Sequence, residues 1–184
     1  MQFELSRAHQ RYLPLIGQQT PRTDEDAVPL TTVMIHPPIS RFLTDTLSTR
    51  APHSGPLFGM RRQDTLSCQY AEGRGYGPAW PQDLLSVDPA YLLGLTDAYR
   101  RTNPTLDWVG HWLILPGGQV PDERQALDWT ERAQQVQLIS DEHPLIFAGW
   151  LEGCFTLQAC TIDVEDQRSW LTVNHVKPTW ERPS

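Results

Sequence analysis

The chain predicts a single mixed α/β domain built around a central sheet. Three observations predict it. Its 184 residues suffice for one substantial core but are too few for two comfortable ones. Two segments carry clear helix starts, and short β-branched or aromatic runs stand before, between and after them.

Residues 1–29 read as an N-terminal extension or arm, and residues 30–184 as the domain. Phe3 to Ile16 is weakly amphipathic, and the stretch after it, to Pro29, is polar and punctuated by proline. An arm packed on the domain is favoured, because Phe3, Leu5 and Tyr12 would otherwise face water. Thr31–Ile35 suits a strand. Ile39, Phe42, Leu43, Thr46 and Leu47 follow at helical spacing. Gly55–Gly59 and Thr65–Ala71 form a hairpin pattern, followed by the Gly/Pro-rich stretch Glu72–Pro81. That stretch lacks the lysine-containing phosphate-loop signature, so it reads as a surface loop.

Asp88-Pro89 opens a helix, with aspartate as cap and proline at the first helical position. The helix should stop before Asn103-Pro104. Leu106–Leu115 reads as a buried strand, Asp122–Ile139 as a second helix, and Pro144–Trp150, Cys154–Val164 and Trp170–Val176 as closing strands.

Composition narrows the function. The net charge is −7 and the pI is near 5.3, which argues against binding phosphate backbones. No apolar run approaches the ~18 residues of a membrane span. The N-terminus lacks the basic start and apolar stretch of a signal peptide. Cys68, Cys154 and Cys160 form an odd, unpatterned set, expected to be reduced, mostly buried thiols in a cytoplasmic protein. Tyr76 and Trp80 flank the Gly/Pro loop and, with Phe3, Leu5 and Tyr12, are the candidate interface anchors.

The most specific segment is Asp107–Gly118, DWVGHWLILPGG. It resembles the JAB/MPN (Mov34/MPN/PAD-1) metalloprotease family, whose bacterial members tend to read Val-Gly-His-Trp-His-Ser-His-Pro-Gly-Gly. Val109-Gly110-His111-Trp112 and Pro116-Gly117-Gly118 match that frame, with Leu113, Ile114 and Leu115 between them. Gly55–Gly59 and Pro121–Trp129 resemble two further family segments, so the likeness spans roughly residues 30–176.

The resemblance implies an MPN-like, cytidine deaminase-like fold: a mixed, curved sheet flanked by helices. It also implies a site of two His, one Asp, a Ser and a Glu around zinc. The matching positions hold Leu113, Leu115, Gln125 and Asp122, and Pro52 stands near the position of the Glu. Leucine has no lone pair to give a metal, and proline takes no proton. The implied protein is a catalytically inactive member without cofactor, acting as an interaction or scaffold module. Its implied partner is another MPN domain, a second copy or a ubiquitin-like protein. The alternative is a metal-dependent hydrolase whose metal is displaced onto His53, His111, Asp122 and Glu123. Residues 111, 113 and 115 share one strand face, so Leu113 and Leu115 should fill the former metal pocket.

Overall fold

A computed structural model of the chain describes residues 6–13, 28–75, 84–162 and 168–176. They contain, in order, α1 (Arg7–Tyr12), β1 (Thr32–Ile35), α2 (Pro37–Leu47), β2 (His53–Arg62), β3 (Thr65–Ala71), α3 (Pro89–Thr102), β4 (Asp107–Ile114), α4 (Glu123–Gln135), β5 (Leu145–Leu151), β6 (Cys154–Ile162) and β7 (Arg168–His175).

The helices follow their local chemistry. In α2, Ile39, Leu43 and Leu47 recur every four residues and form one buried stripe. The Asp88 carboxylate accepts hydrogen bonds from the Ala90 and Tyr91 N–H groups and caps α3, which ends at Thr102 as the Asn-Pro pair requires. Helix α4 ends at Gln135, short of the Ile139 boundary expected from sequence. The chain turns through Gln137 at φ +56°, and the Leu138 N–H reaches back to the Ala133 carbonyl. Leu138 and Ile139 still enter the core from this turn.

The strands close on themselves. Their order is β1-β3-β2-β4-β5-β6-β7, and β1 pairs in parallel with both β3 and β7. Two-way pairing by β1 makes a seven-stranded mixed barrel. This overturns the expected MPN-like curved sheet flanked by helices. The elements sit close to where the sequence puts them, but Thr32–Ile35 does not leave an edge open. It zips Thr65–Cys68 on one side to Thr172–His175 on the other.

Alternation along the strands sorts the apolar side chains into two clusters. Val33, Ile35, Leu66, Trp112, Ile146 and Leu157 belong to the inner one, which also receives the stripe of α2. Phe58, Trp108, Leu113, Phe147 and Cys160 belong to the outer one, beneath α1, α3 and α4. A bulge in β4 lets the sorting work. Leu57 pairs with Gly110 and Phe58 with Trp108, so Val109 is an extra residue. Parity reverses there, which puts Trp108 on the same side as Leu113 and Val109 with the inner cluster.

Residues 6–13 are integrated into this packing. Ser6 and Ala8 are buried, and the Arg7 N–H donates to the Asp107 carboxylate at 3.0 Å. The Arg7 guanidinium lies 3.9 Å over the Trp108 ring and donates to the Leu138 carbonyl. It thereby ties α1 to the end of α4.

Gly55 marks the tightest approach between strand and loop. A Cβ there would lie 1.9 Å from the Glu72 carbonyl oxygen, the atom that accepts the Trp112 indole N–H at 2.9 Å. Gly55→Ala is therefore expected to displace Glu72 and break that bond. Chemical denaturation should show a loss of about 1–3 kcal/mol. Unchanged stability would mean that the segment after β3 does not press on β2.

Candidate functional site

The segment that carries the family resemblance is β4 and the turn after it. Leu113 and Leu115 pack in the outer cluster, whereas Trp112 and Ile114 face the inner one. Both faces of the strand are thus occupied by core side chains. Leu113 is 0% exposed, as is His111 on the same face. Gly117 and Gly118 adopt φ +87° and +66°, left-handed values that explain the Pro-Gly-Gly turn without any catalytic demand.

The remaining motif positions are local structure. Asp122 caps α4 by accepting the Gln125 N–H at 2.8 Å, and the Gln125 side chain accepts the Asp122 N–H at 3.3 Å. The two form a reciprocal capping box, worth about 1 kcal/mol. Glu123 pairs with Arg168 at 3.0 Å. Pro52 is half-buried at the entry to β2.

The four residues of the displaced-metal alternative have separate attachments. His53 bonds to Thr49, His111 to the Leu84 carbonyl, Asp122 to α4 and Glu123 to Arg168. Among the described residues, no group of three or more His, Cys, Asp and Glu side chains could hold a metal ion.

Of the interface candidates, Tyr12 packs partly buried against the outer cluster. Phe3, Leu5, Tyr76 and Trp80 lie outside the described residues. Cys68 and Cys160 are buried, and burial pushes their thiols up to about 12 and about 11. Cys154 departs from the expectation of burial, since it is exposed at the turn end of β6.

His111 has a defined tautomer. A carbonyl only accepts, so Nε2 carries the hydrogen that reaches Leu84 at 3.3 Å. Among the described residues, neither its buried Nδ1 nor the buried Ser54 hydroxyl has a hydrogen-bond partner. Ser54 pairs with Leu113 and Pro56 with His111, which makes Ser54 and His111 diagonal neighbours on one face. Burial, followed by the charges of Arg7 and Arg11, lowers the His111 pKa to about 4. Burial, then Arg7 and Arg61, also holds His143 well below its usual value.

An open concavity lies beside α2. A cleft of about 510 Å³ lies between α2, the start of β2 and residues 73–75. Phe42, Asp45, Thr46, Thr49, His53 and Arg74 line it, and Trp112 contributes to its wall. Phe42 meets Trp112 edge-on, with ring centroids 5.7 Å apart. Burial and the nearby Arg74 charge both lower the His53 pKa. Sequence reasoning singled out only His53 here, because no local pattern reveals that residues 73–75 come to rest beside α2.

Comparison with known proteins adds the fold alone. No family model matches the chain, and no curated protein matches its sequence. The fold is similar to the solution structure of protein DSY2949 from Desulfitobacterium hafniense, with a TM-score of 0.59 and 11% identity. The match covers 79% of this chain and 94% of that one.

Three outcomes follow for this region. Below pH 6.5 the unfolded chain protonates its histidines, whereas native His111 stays neutral to about pH 4. Stability should therefore fall as pH drops through that window, and His111→Gln should flatten the fall in melting temperature. An equal slope in the variant would exclude His111 as the cause. Ser54→Ala removes a buried hydroxyl that has no partner among the described residues, and it should leave thermal stability unchanged or raised. A marked loss would reveal a partner for Ser54. Installing histidine at both Leu113 and Leu115 should cost about 2–5 kcal/mol, with no zinc retained in elemental analysis.

Proposed function

We propose that the chain works by binding a protein partner, as a scaffold or interaction module, and not by hydrolysis. The observation that supports this most is the double-sided burial of β4. The strand on which the resembling family places its metal site turns only core side chains to either face. A substrate has no access to Leu113 or Leu115, the positions that match the metal ligands.

A protein partner is favoured by the exposed outer face of β7. Trp170 on β7 is 45% exposed and carries the Arg168 guanidinium 4.8 Å from its ring. Trp and Arg are the residue types that most often anchor interfaces. The surrounding outer face, with exposed Thr172 and Asn174, is polar. The net charge of −7 favours a basic patch on the partner and an association weakened by salt. A second copy of the chain is the simplest candidate, with an MPN domain or a ubiquitin-like protein as the candidates suggested by the sequence resemblance. Three unpaired thiols fit a reducing compartment, and we place the protein in the cytoplasm.

Light scattering coupled to size-exclusion chromatography, with native pull-downs, tests the reading. A specific complex is expected, with Trp170→Ala weakening it by about tenfold or more, the loss of a single anchor. Tightly held stoichiometric zinc together with isopeptidase activity would overturn the proposal in favour of a displaced-metal hydrolase. A strict monomer that captures no partner would also overturn it.

A further inference from the structure

We propose that the surface beneath α1 is a recognition site for arginine-bearing segments of a basic protein partner, and that α1 is its intramolecular occupant. This goes beyond the protein-binding reading and does not rest on it, because the surface differs from that of Trp170 and a different experiment reads it.

The site is built from groups that suit a guanidinium. Helix α4 ends at Gln135, and the carbonyls of Val136, Gln137 and Leu138 stand beyond its last turn, at the negative end of the helix. Arg11 donates to the first two, and Arg7 donates to the third at 2.8 Å. Beside them lies the Trp108 ring. Its indole N–H is committed to the Gly110 carbonyl at 2.9 Å, so it offers α1 only its π face. The Arg7 and Arg11 guanidinium carbons lie 3.9 and 5.6 Å from the centroid of that ring. The Asp107 carboxylate completes the site, accepting the Arg7 backbone N–H at 3.0 Å. Carbonyls, a ring face and a carboxylate all favour positive charge, and a planar fork engages several of them at once where an ammonium does not.

The present occupant is held mainly by these groups. α1 has six residues, too few for a helix that is stable by itself. Ala8 is its one buried residue, and Tyr12 packs partly buried against the outer cluster. His9 reaches the exposed Asp97 carboxylate at 3.2 Å. The attachment is thus chiefly polar, and a second chain carrying arginines can supply the same contacts. The net charge of −7 draws such basic chains to the protein.

The probe is a synthetic peptide copying residues 6–13. It is titrated into the full-length, isotope-labelled Arg7→Ala/Arg11→Ala variant, whose own α1 no longer fills the site and whose spectrum confirms an intact barrel. Saturable shifts are expected at the Trp108 indole and the amides of residues 136–138, with a Kd on the order of 1 mM. The same peptide carrying Arg7→Lys and Arg11→Lys should bind about tenfold more weakly. The unaltered chain should also bind the arginine peptide about tenfold more weakly, because its tethered α1 competes at high effective concentration. A second measurement needs no variant. In the unaltered chain, the amides of Arg7, Gln10 and Leu13 are bonded to Asp107, Ser6 and His9. They should exchange with deuterium about tenfold or more faster than the ladder amides between β1 and β3. No shifts at about 10 mM peptide, shifts centred elsewhere, or equal affinity for the arginine and lysine peptides would each overturn the assignment. Exchange of the α1 amides only in step with the barrel would overturn it as well, since an α1 that never opens leaves no site to fill.

Discussion

The two-sided pairing of a four-residue strand is the constraint on which the rest of this architecture depends. β1 gives one ladder to β3 and the other to β7, with register from Thr32 to Ile35 on both sides. Further backbone bonds extend the seam, from the His36 N–H to the Cys68 carbonyl and from the Val176 N–H to the Ile35 carbonyl. Without β1, β3 and β7 would be open edges with unpaired amides. The inner cluster would also lose Val33 and Ile35 and become accessible to water. Helix α2 follows β1 directly, so the same short segment positions the stripe of Ile39, Leu43 and Leu47 against that cluster. Closure and plugging are a single event in the chain.

On the far side of the barrel, the extra residue in β4 has a comparable reach. Val109 reverses the strand's parity, and Trp108 thereby becomes the platform on which Arg7 stacks. The buried Arg7 cation donates to Leu138 and so holds the end of α4 to α1. Its pKa is lowered to about 9, chiefly by burial and then by Arg11, with the Asp107 carboxylate offsetting part of the shift. The same charge reaches His111 and helps to keep that ring neutral. A buried cation and a buried neutral histidine are thus mutually consistent. The leucines at 113 and 115 complete the outer layer and give this side hydrocarbon packing independent of any ion.

Much of this was legible in the sequence, and what was not has a physical reason. Asp88-Pro89 and Asp122 with Gln125 announce the starts of α3 and α4 because capping is chemistry within four residues. The shared face of His111, Leu113 and Leu115 follows from strand alternation alone. The exposed Cys154 and the early end of α4 were less visible, since a turn residue in the left-handed region decides each: Glu152 at φ +50° and Gln137 at φ +56°. Closure was invisible. The pairing of Thr32 with Thr172 joins distant parts of the chain, and a four-residue strand with buried Val33 and Ile35 looks the same in an open sheet. The order of helix, strand, Gly-Gly turn and helix does not separate the two architectures either. It describes α3, β4 and α4 in the barrel as well as in a flanked sheet, because β4, α4 and β5 form a parallel crossover unit.

The cleft was hidden for a related reason: its walls meet only through contacts distant in sequence. Glu72 is the joint between them. Its backbone carbonyl accepts the Trp112 indole N–H, and its carboxylate accepts the Tyr99 hydroxyl from α3. Tyr99 stacks in turn on Tyr70 and packs against Phe58, so the outer helical layer grips the chain where it leaves β3. Burial and the Glu72 carboxylate both raise the Tyr99 pKa, and the hydroxyl stays a donor throughout the physiological range. The segment that brings Arg74 to the cleft is therefore anchored at its root from both sides of β4. This anchoring also explains why Gly55 has no side chain, since any Cβ there would strike the carbonyl at the centre of this joint.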